Sequence, residues 1–153
     1  MRVIEYRDDL TGLTPDQLGG GFFEGWPSPP SPELHLAHLR ASEVAIVAFD
    51  STTDRVVGFV TAIGDGSLAA FIPFLEVLPP YRGSGIRTEL TRLVLARLAA
   101  RYSVDLVCDP DLVPFYERLG GVAGTAVMWR NRDALTLKAV LQAPVPSAPK
   151  ARA

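Results

Sequence analysis

The residues best suited to chemistry in this 153-residue chain fall in one run, Val77-Leu78-Pro79-Pro80-Tyr81-Arg82-Gly83-Ser84-Gly85-Ile86-Arg87. An apolar stretch, Leu68 to Leu78, halts at two prolines, a turn of small residues follows, and an amphipathic pattern begins at Ile86. Strand, glycine turn and helix in that order leave backbone N–H groups unpaired at a helix N-terminus. Such a row is a seat for a phosphate and predicts a phosphorylated cofactor. Two nucleotide motifs fail against it. No Gly-Lys-Ser/Thr follows the turn, as a P-loop requires. The dinucleotide fingerprint, counted from Gly83 and Gly85, needs a third glycine where Thr88 stands.

Other chemistry-bearing residues are few. Glu76 is a lone carboxylate inside an apolar strand, where burial raises a carboxyl pKa towards the range useful for a base. A solvent-facing or ion-paired side chain is the plainer alternative. Asp105, in the strand after the helix, is the second carboxylate candidate. Tyr116 sits on an amphipathic stretch, and from spacing alone it reads as a core tyrosine. His35 and His38 stand at i, i+3 on a helix, but no third ligand or His-Glu-x-x-His pattern supports a metal. They read as a polar helix face, and no metal is expected. Cys108 is the single cysteine, which excludes an intrachain disulfide; it reads as an inert buried thiol. Trp26, between Gly25 and Pro27, suits a cleft lining, while Phe22 and Phe23 suit the core.

The elements that must position these groups follow from periodicity and punctuation. Val3 to Tyr6 predicts a strand. Thr14 as N-cap and Pro15 at the first helical position open a short helix, which Gly19-Gly20-Gly21 weakens. Pro27, Pro29 and Pro30 force an extended loop, and Ser31-Pro32-Glu33 opens a helix to about Arg40. Glu43–Phe49, Arg55–Ile63 and Leu68–Leu78 are strands joined by turns short enough for an antiparallel meander. Ile86, Leu90, Leu93, Val94 and Leu98 share one helix face. Val104–Cys108 predicts a strand, and Asp109-Pro110-Asp111 a helix that ends at Gly120-Gly121. Val122–Arg130 reads as a bent strand or small hairpin, Asp133–Leu141 is ambiguous, and Ala143–Ala153 reads as disordered. The fold class is α/β with a mixed sheet: an antiparallel meander, then one central right-handed β-α-β crossover, with helices on both faces. The domain spans residues 1–141, with a disordered tail at 142–153.

Bulk properties exclude several classes. Hydrophobic residues make up 48% and charged residues 21%, enough apolar content for one packed domain. A net charge of −2 with no basic block argues against nucleic-acid binding. No apolar stretch reaches the roughly 20 residues that span a bilayer, and the charged N-terminus is no signal-peptide core. A soluble cytoplasmic protein without membrane association is expected.

Residues Leu75 to Ile86 resemble the acyl-CoA site of the GNAT superfamily of N-acetyltransferases, whose motif is Arg/Gln-x-x-Gly-x-Gly/Ala after a strand. Val113-Pro114-Phe115-Tyr116-Glu117-Arg118-Leu119-Gly120 resembles the family's second motif, a helix ending in Tyr-x-x-x-Gly. The two stand in register, and the element order is similar over about residues 2–131. The resemblance implies an acetyl-CoA-dependent N-acetyltransferase that moves acetyl directly to a primary amine in a ternary complex, with acetyl-CoA as co-substrate. It implies that the Val77 N–H receives the charge on the thioester carbonyl oxygen and that backbone groups of Leu75 and Val77 hold the pantetheine arm. Arg82, Gly83, Ser84, Gly85, Ile86, Arg87 and Thr88 would hold the rest of the cofactor, with Asp109, Phe115 and Tyr116 beside it. Tyr116 takes the place of the general acid, and Glu76, next to the implied oxyanion donor, is the first candidate for the base. Trp26, Phe23 and Glu76 fall in the acceptor region. One position departs from the motif. Arg87 stands where the family has Gly or Ala; its guanidinium suits a phosphate, and its bulk crowds the approach. A non-catalytic, acyl-CoA-sensing domain is therefore the alternative. The acceptor, a small-molecule amine or a peptide N-terminus, is not legible in the segment Thr11–Arg40, nor is the oligomeric state, a homodimer included.

Overall fold

In the computed structural model, which describes residues 1–130, five strands form one sheet in sequence order. They are β1 (Ile4–Arg7), β2 (Val44–Asp50), β3 (Arg55–Gly64), β4 (Ala69–Val77) and β5 (Ser103–Leu106). The first four are mutually antiparallel, and β5 runs parallel to β4. Three helices accompany them: α1 (Pro32–Ala41), α2 (Ile86–Arg97) and α3 (Val113–Glu117). The meander and the single crossover through α2 are the architecture that the turn spacing predicts. The ambiguous segment 133–141 and the tail 142–153 lie outside the described residues.

Each sheet face receives its helix for a reason visible in the strands. Gly58 on β3 lies opposite Val77 on β4. A Cβ there would meet Ile86 and Leu90 of α2 at 3.2 Å, so a glycine is what lets the helix seat this closely. Ile86, Leu90, Val94 and Leu98 are buried against that face, and Leu93 packs at the margin. On the opposite face Phe59, one residue along, meets His35 of α1 and Phe22 and Phe23 of the preceding loop. Ser31 caps α1 by accepting the Leu34 N–H at 3.2 Å.

Four details differ from the sequence expectation. β5 stops at Leu106, so Cys108 lies beyond the strand and is half-buried. The Asp109 segment is not one helix. A 3-10 turn at Pro110–Leu112 precedes the five-residue α3. Pro114 cannot donate to the turn before it and suits a helix's first positions, which restarts the helix there. Residues 122–130 form no strand with the described residues and run exposed. His35 is no part of a polar face: it is 2% exposed, boxed by Phe22, Phe23 and Phe59.

Candidate active site

The site begins where β4 parts from β5. The β4–β5 ladder covers only Ala69 to Ile72. At the same level the β3–β4 register slips by a residue, beside Pro73, which has no N–H to offer a ladder. Beyond it β4 keeps β3 on one side and, among the described residues, has no strand on the other. Leu78 donates its N–H to Val57 at 2.9 Å, towards β3. Strand alternation therefore turns the N–H and C=O of Val77 and Leu75 away from β3, into the gap. Arg82 takes up part of that edge, its Nε donating to the Val77 carbonyl at 3.0 Å. The Val77 and Leu75 N–H groups stay directed at the opening.

The turn after β4 is set by its glycines. Gly83 and Gly85 have φ of 75° and 86°, and Gly85 is the N-cap residue of α2. An L side chain at Gly85 would be strained whatever space surrounds it. Among the described residues the N–H groups of Gly83, Ser84 and Gly85 make no hydrogen bond. Together with the unsatisfied first turn of α2 they form a cluster of donors at the positive end of a helix. Ser84 folds its hydroxyl inward to the Tyr81 carbonyl at 2.5 Å.

The turn is also tied down from outside, by residues that sequence reasoning did not single out. The Tyr81 hydroxyl donates to Asp50 Oδ2 at 2.8 Å, at the end of β2. Asp50 is 0% exposed. Burial works to raise its carboxyl, but the hydrogen bonds from Tyr81 and Thr52, with Arg2 nearby, outweigh that and leave the pKa lowered. Arg2 lies 4.3 Å over the Tyr81 ring and donates to the Pro80 carbonyl. Asp50 reads in the sequence as an ordinary turn opener.

Across the opening lies the loop of residues 19–26. Phe23 adopts φ 61°, unusual for a residue with a side chain. Such a conformation costs on the order of 1–3 kcal/mol. Two features offset it. The Phe23 ring is buried among Trp26, His35, Phe59 and Phe74, and burying a Phe contributes about 1.5–3 kcal/mol. The Phe23 N–H also donates to Glu76 Oε2 at 3.0 Å. Glu76 is thus half-buried and tied to the loop by one oxygen. Burial raises its pKa, opposed by the Phe23 bond and by Arg82. Trp26 is half-buried at the loop's outer end, 5.8 Å from Phe74.

These parts enclose a cavity of about 120 Å³, lined by Leu75 to Pro79, Gly21, Glu24, Arg82 and Arg87. Of the sequence candidates, Leu75, Glu76, Val77, Arg82 and Arg87 thus come together at one opening, and Glu24 joins them without a sequence signal. Phe115 and Tyr116 stand beside Arg87 on α3, whose guanidinium carbon is 5.8 Å from the Phe115 ring centre. Burial raises the Tyr116 pKa, Arg87 lowers it and Cys108 adds a smaller upward push. Asp109 holds the N-cap position of its turn but makes no side-chain capping bond. Asp105 is exposed, accepts the Ser103 hydroxyl and lies level with Phe71, far down β4 from Val77. No group of metal-ligating side chains exists among the described residues, and no described helix is long and apolar enough to cross a membrane.

A profile of the Acetyltransferase (GNAT) family matches residues 11–121. A crystal structure of a Deinococcus radiodurans R1 protein assigned as an acetyltransferase is 46% identical, with a TM-score of 0.81 and 94% of each chain covered. N-alpha-acetyltransferase 30 of Schizosaccharomyces pombe is 33% identical over 87 residues, 51% of this chain and 57% of that protein. The uncharacterized N-acetyltransferase ycf52 of Porphyra purpurea is 25% identical over 99 residues, 63% of this chain and 57% of that protein. The chain thus spans somewhat over half the length of these curated relatives.

Proposed function

The chain belongs to the GNAT acetyltransferase family, and we propose that it is an N-acetyltransferase that moves acetyl from acetyl-CoA directly to a primary amine in a ternary complex. The observation that carries the proposal is the free edge of β4 at Leu75 and Val77, which opens beside the donor-rich turn Gly83–Gly85. The residues present fit the cofactor. Three unpaired N–H groups and a helix N-terminus suit a pyrophosphate, and an unpaired strand edge suits the amide-bearing pantetheine arm. When bound, the thioester supplies an activated acyl carbonyl.

The chain's own groups then have distinct tasks. Arg82, Gly83, Ser84, Gly85, Ile86 and Thr88 hold the phosphate end, with Asp109 and Phe115 flanking. The Leu75 and Val77 backbone aligns the arm, and the Val77 N–H donates to the carbonyl oxygen as its charge grows. Glu76 accepts the proton of the incoming amine through the oxygen not held by Phe23, or through a water. Its raised pKa brings its basicity nearer to that task. Tyr116 donates a proton to the departing sulfur. Trp26 and the loop around Phe23 bound the acceptor, a small-molecule amine or a peptide N-terminus. No metal takes part in this scheme, and the reaction is placed in the cytoplasm.

A second reading, an acyl-CoA sensor without turnover, draws on Arg87 at the cavity wall. The two separate in one experiment: calorimetric titration with acetyl-CoA, followed by thiol release over a panel of amines. Binding with turnover is expected, and Tyr116→Phe is expected to keep the affinity and lose about 100-fold in turnover. Binding with no release for any amine selects the sensor. No binding by the native protein overturns both.

A further inference from the structure

We infer that Arg87 is a further catalytic residue, its guanidinium facing the sulfur end of the cofactor and holding negative charge there as the thiolate departs. The inference rests on the acetyl-CoA reading above. Three observations carry it. Arg87 is the second residue of α2, so its cation starts from the positive end of that helix, an arrangement disfavoured unless an anion answers it. Among the described residues it makes no ion pair. Its side chain also leaves the phosphate seat. The guanidinium lies over Phe115 of α3 and lines the cavity beside Leu75, Glu76 and Val77, the stretch of β4 that would face the acyl group in the reading above.

The phosphate seat needs no help from this side chain, because Gly83, Ser84 and Gly85 already offer their N–H groups to it. Tyr116 adjoins Phe115, ring centre to ring centre 4.9 Å, so Arg87 and Tyr116 converge on one place. Arg87 also lowers the Tyr116 pKa against the effect of burial, which makes the phenol a better donor. The charged and titratable groups around the guanidinium are Glu24, Glu76 and Arg82 on the cavity wall and Tyr116 towards α3, with Cys108 acting on Tyr116 in turn. During transfer the amine lone pair forms the C–N bond and the C–S bond breaks with its electron pair on sulfur. The Tyr116 proton goes to sulfur, and the surplus amine proton goes to Glu76. A fixed cation beside the sulfur lowers the energy of the moment when that pair has left carbon and the proton has not arrived.

The test needs no acceptor. CoA, with its free thiol, is bound to the full-length protein, and thiolate formation is followed with pH by ultraviolet difference absorbance, protein alone subtracted. The native protein and Arg87→Lys are expected to hold about tenfold more thiolate at a given pH than Arg87→Ala, a shift of about one pKa unit. Calorimetry should find CoA affinity nearly equal in all three. Equal thiol titration in native and Arg87→Ala proteins overturns the inference. A weaker affinity would then assign Arg87 to the phosphates, and a tighter one would assign it to crowding. If the native protein binds no CoA, the acetyl-CoA reading itself has failed, and that outcome is distinct from the other two.

Discussion

The two walls of the cleft are built from different material. The wall proposed to hold the cofactor is backbone: a strand edge freed where β5 ends, then a turn whose donors are main-chain N–H groups held by two glycines at positive φ. The wall proposed for the acceptor is side chains: Phe23 packed edge to face on Trp26 and Phe74, with His35 behind and Glu76 as its tie to the sheet. A backbone wall presents nearly the same atoms whatever its side chains are, so it suits a ligand that never changes. A side-chain wall is redrawn by single substitutions, which suits the partner that gives a family its diversity.

The contrast is broken most forcefully at Gly85. Gly85→Trp is expected to abolish acetyl-CoA binding in calorimetry, because an L residue at φ 86° strains the turn and an indole there stands over the donors. Ser84→Ala, which removes only a side chain already turned towards the Tyr81 carbonyl, is expected to leave the affinity within about threefold. If Ser84→Ala is as damaging as Gly85→Trp while both proteins stay folded by circular dichroism, the cofactor wall is not built from backbone.

This difference also explains what could be read from the sequence. The turn was legible because glycine and proline encode backbone angles at their own positions, and α2 because its apolar spacing is local. The meander followed from short turns. Glu76 bonded to Phe23, 53 residues away, leaves no such trace. Neither does Asp50 bonded to Tyr81 across 31 residues. His35 read as polar because the aromatic rings that enclose it come from the preceding loop and from β3, not from its own helix. The split before α3 has a local mark, Pro114 inside the predicted helix, whereas the early end of β5 is non-local. Strand length depends on what the partner offers, and β4 turns away beyond Ile72.

On the acceptor wall, Glu76 separates positioning from proton transfer. Glu76→Gln retains an oxygen for the Phe23 N–H, so the loop keeps its place while the proposed base is lost. Turnover is expected to fall about 100-fold with little change in the amine KM. Glu76→Ala also frees the loop and should raise the amine KM in addition. As the proposed base the native carboxylate would work only when deprotonated, so activity should fall as pH drops through a pKa above the ordinary carboxyl range, burial being the main cause. In Glu76→Gln that acid limb should vanish. A Gln variant with native turnover and an unchanged acid limb would leave Glu76 as a loop tie alone.

The smallest expected effect touches stability rather than activity, and it tests whether the acceptor wall is sensitive to charge. Burial, and secondarily the neighbouring His38, lower the His35 pKa from 6.5 to about 4. Above pH 6.5 the imidazole is neutral in both the folded and the unfolded chain, and it contributes no pH dependence. Below it the unfolded chain binds a proton that the folded protein refuses, so stability falls progressively until pH nears 4. Between pH 7 and pH 5 the loss amounts to about 2 kcal/mol, measurable as a shift in urea midpoint at constant slope. His35→Phe keeps an aromatic ring among Phe22, Phe23 and Phe59 and removes that titration, so its midpoint should fall much less over that interval, with only the His38 contribution left. An undiminished slope in His35→Phe would place the proton elsewhere, His38 being the neighbouring group whose pKa burial also lowers.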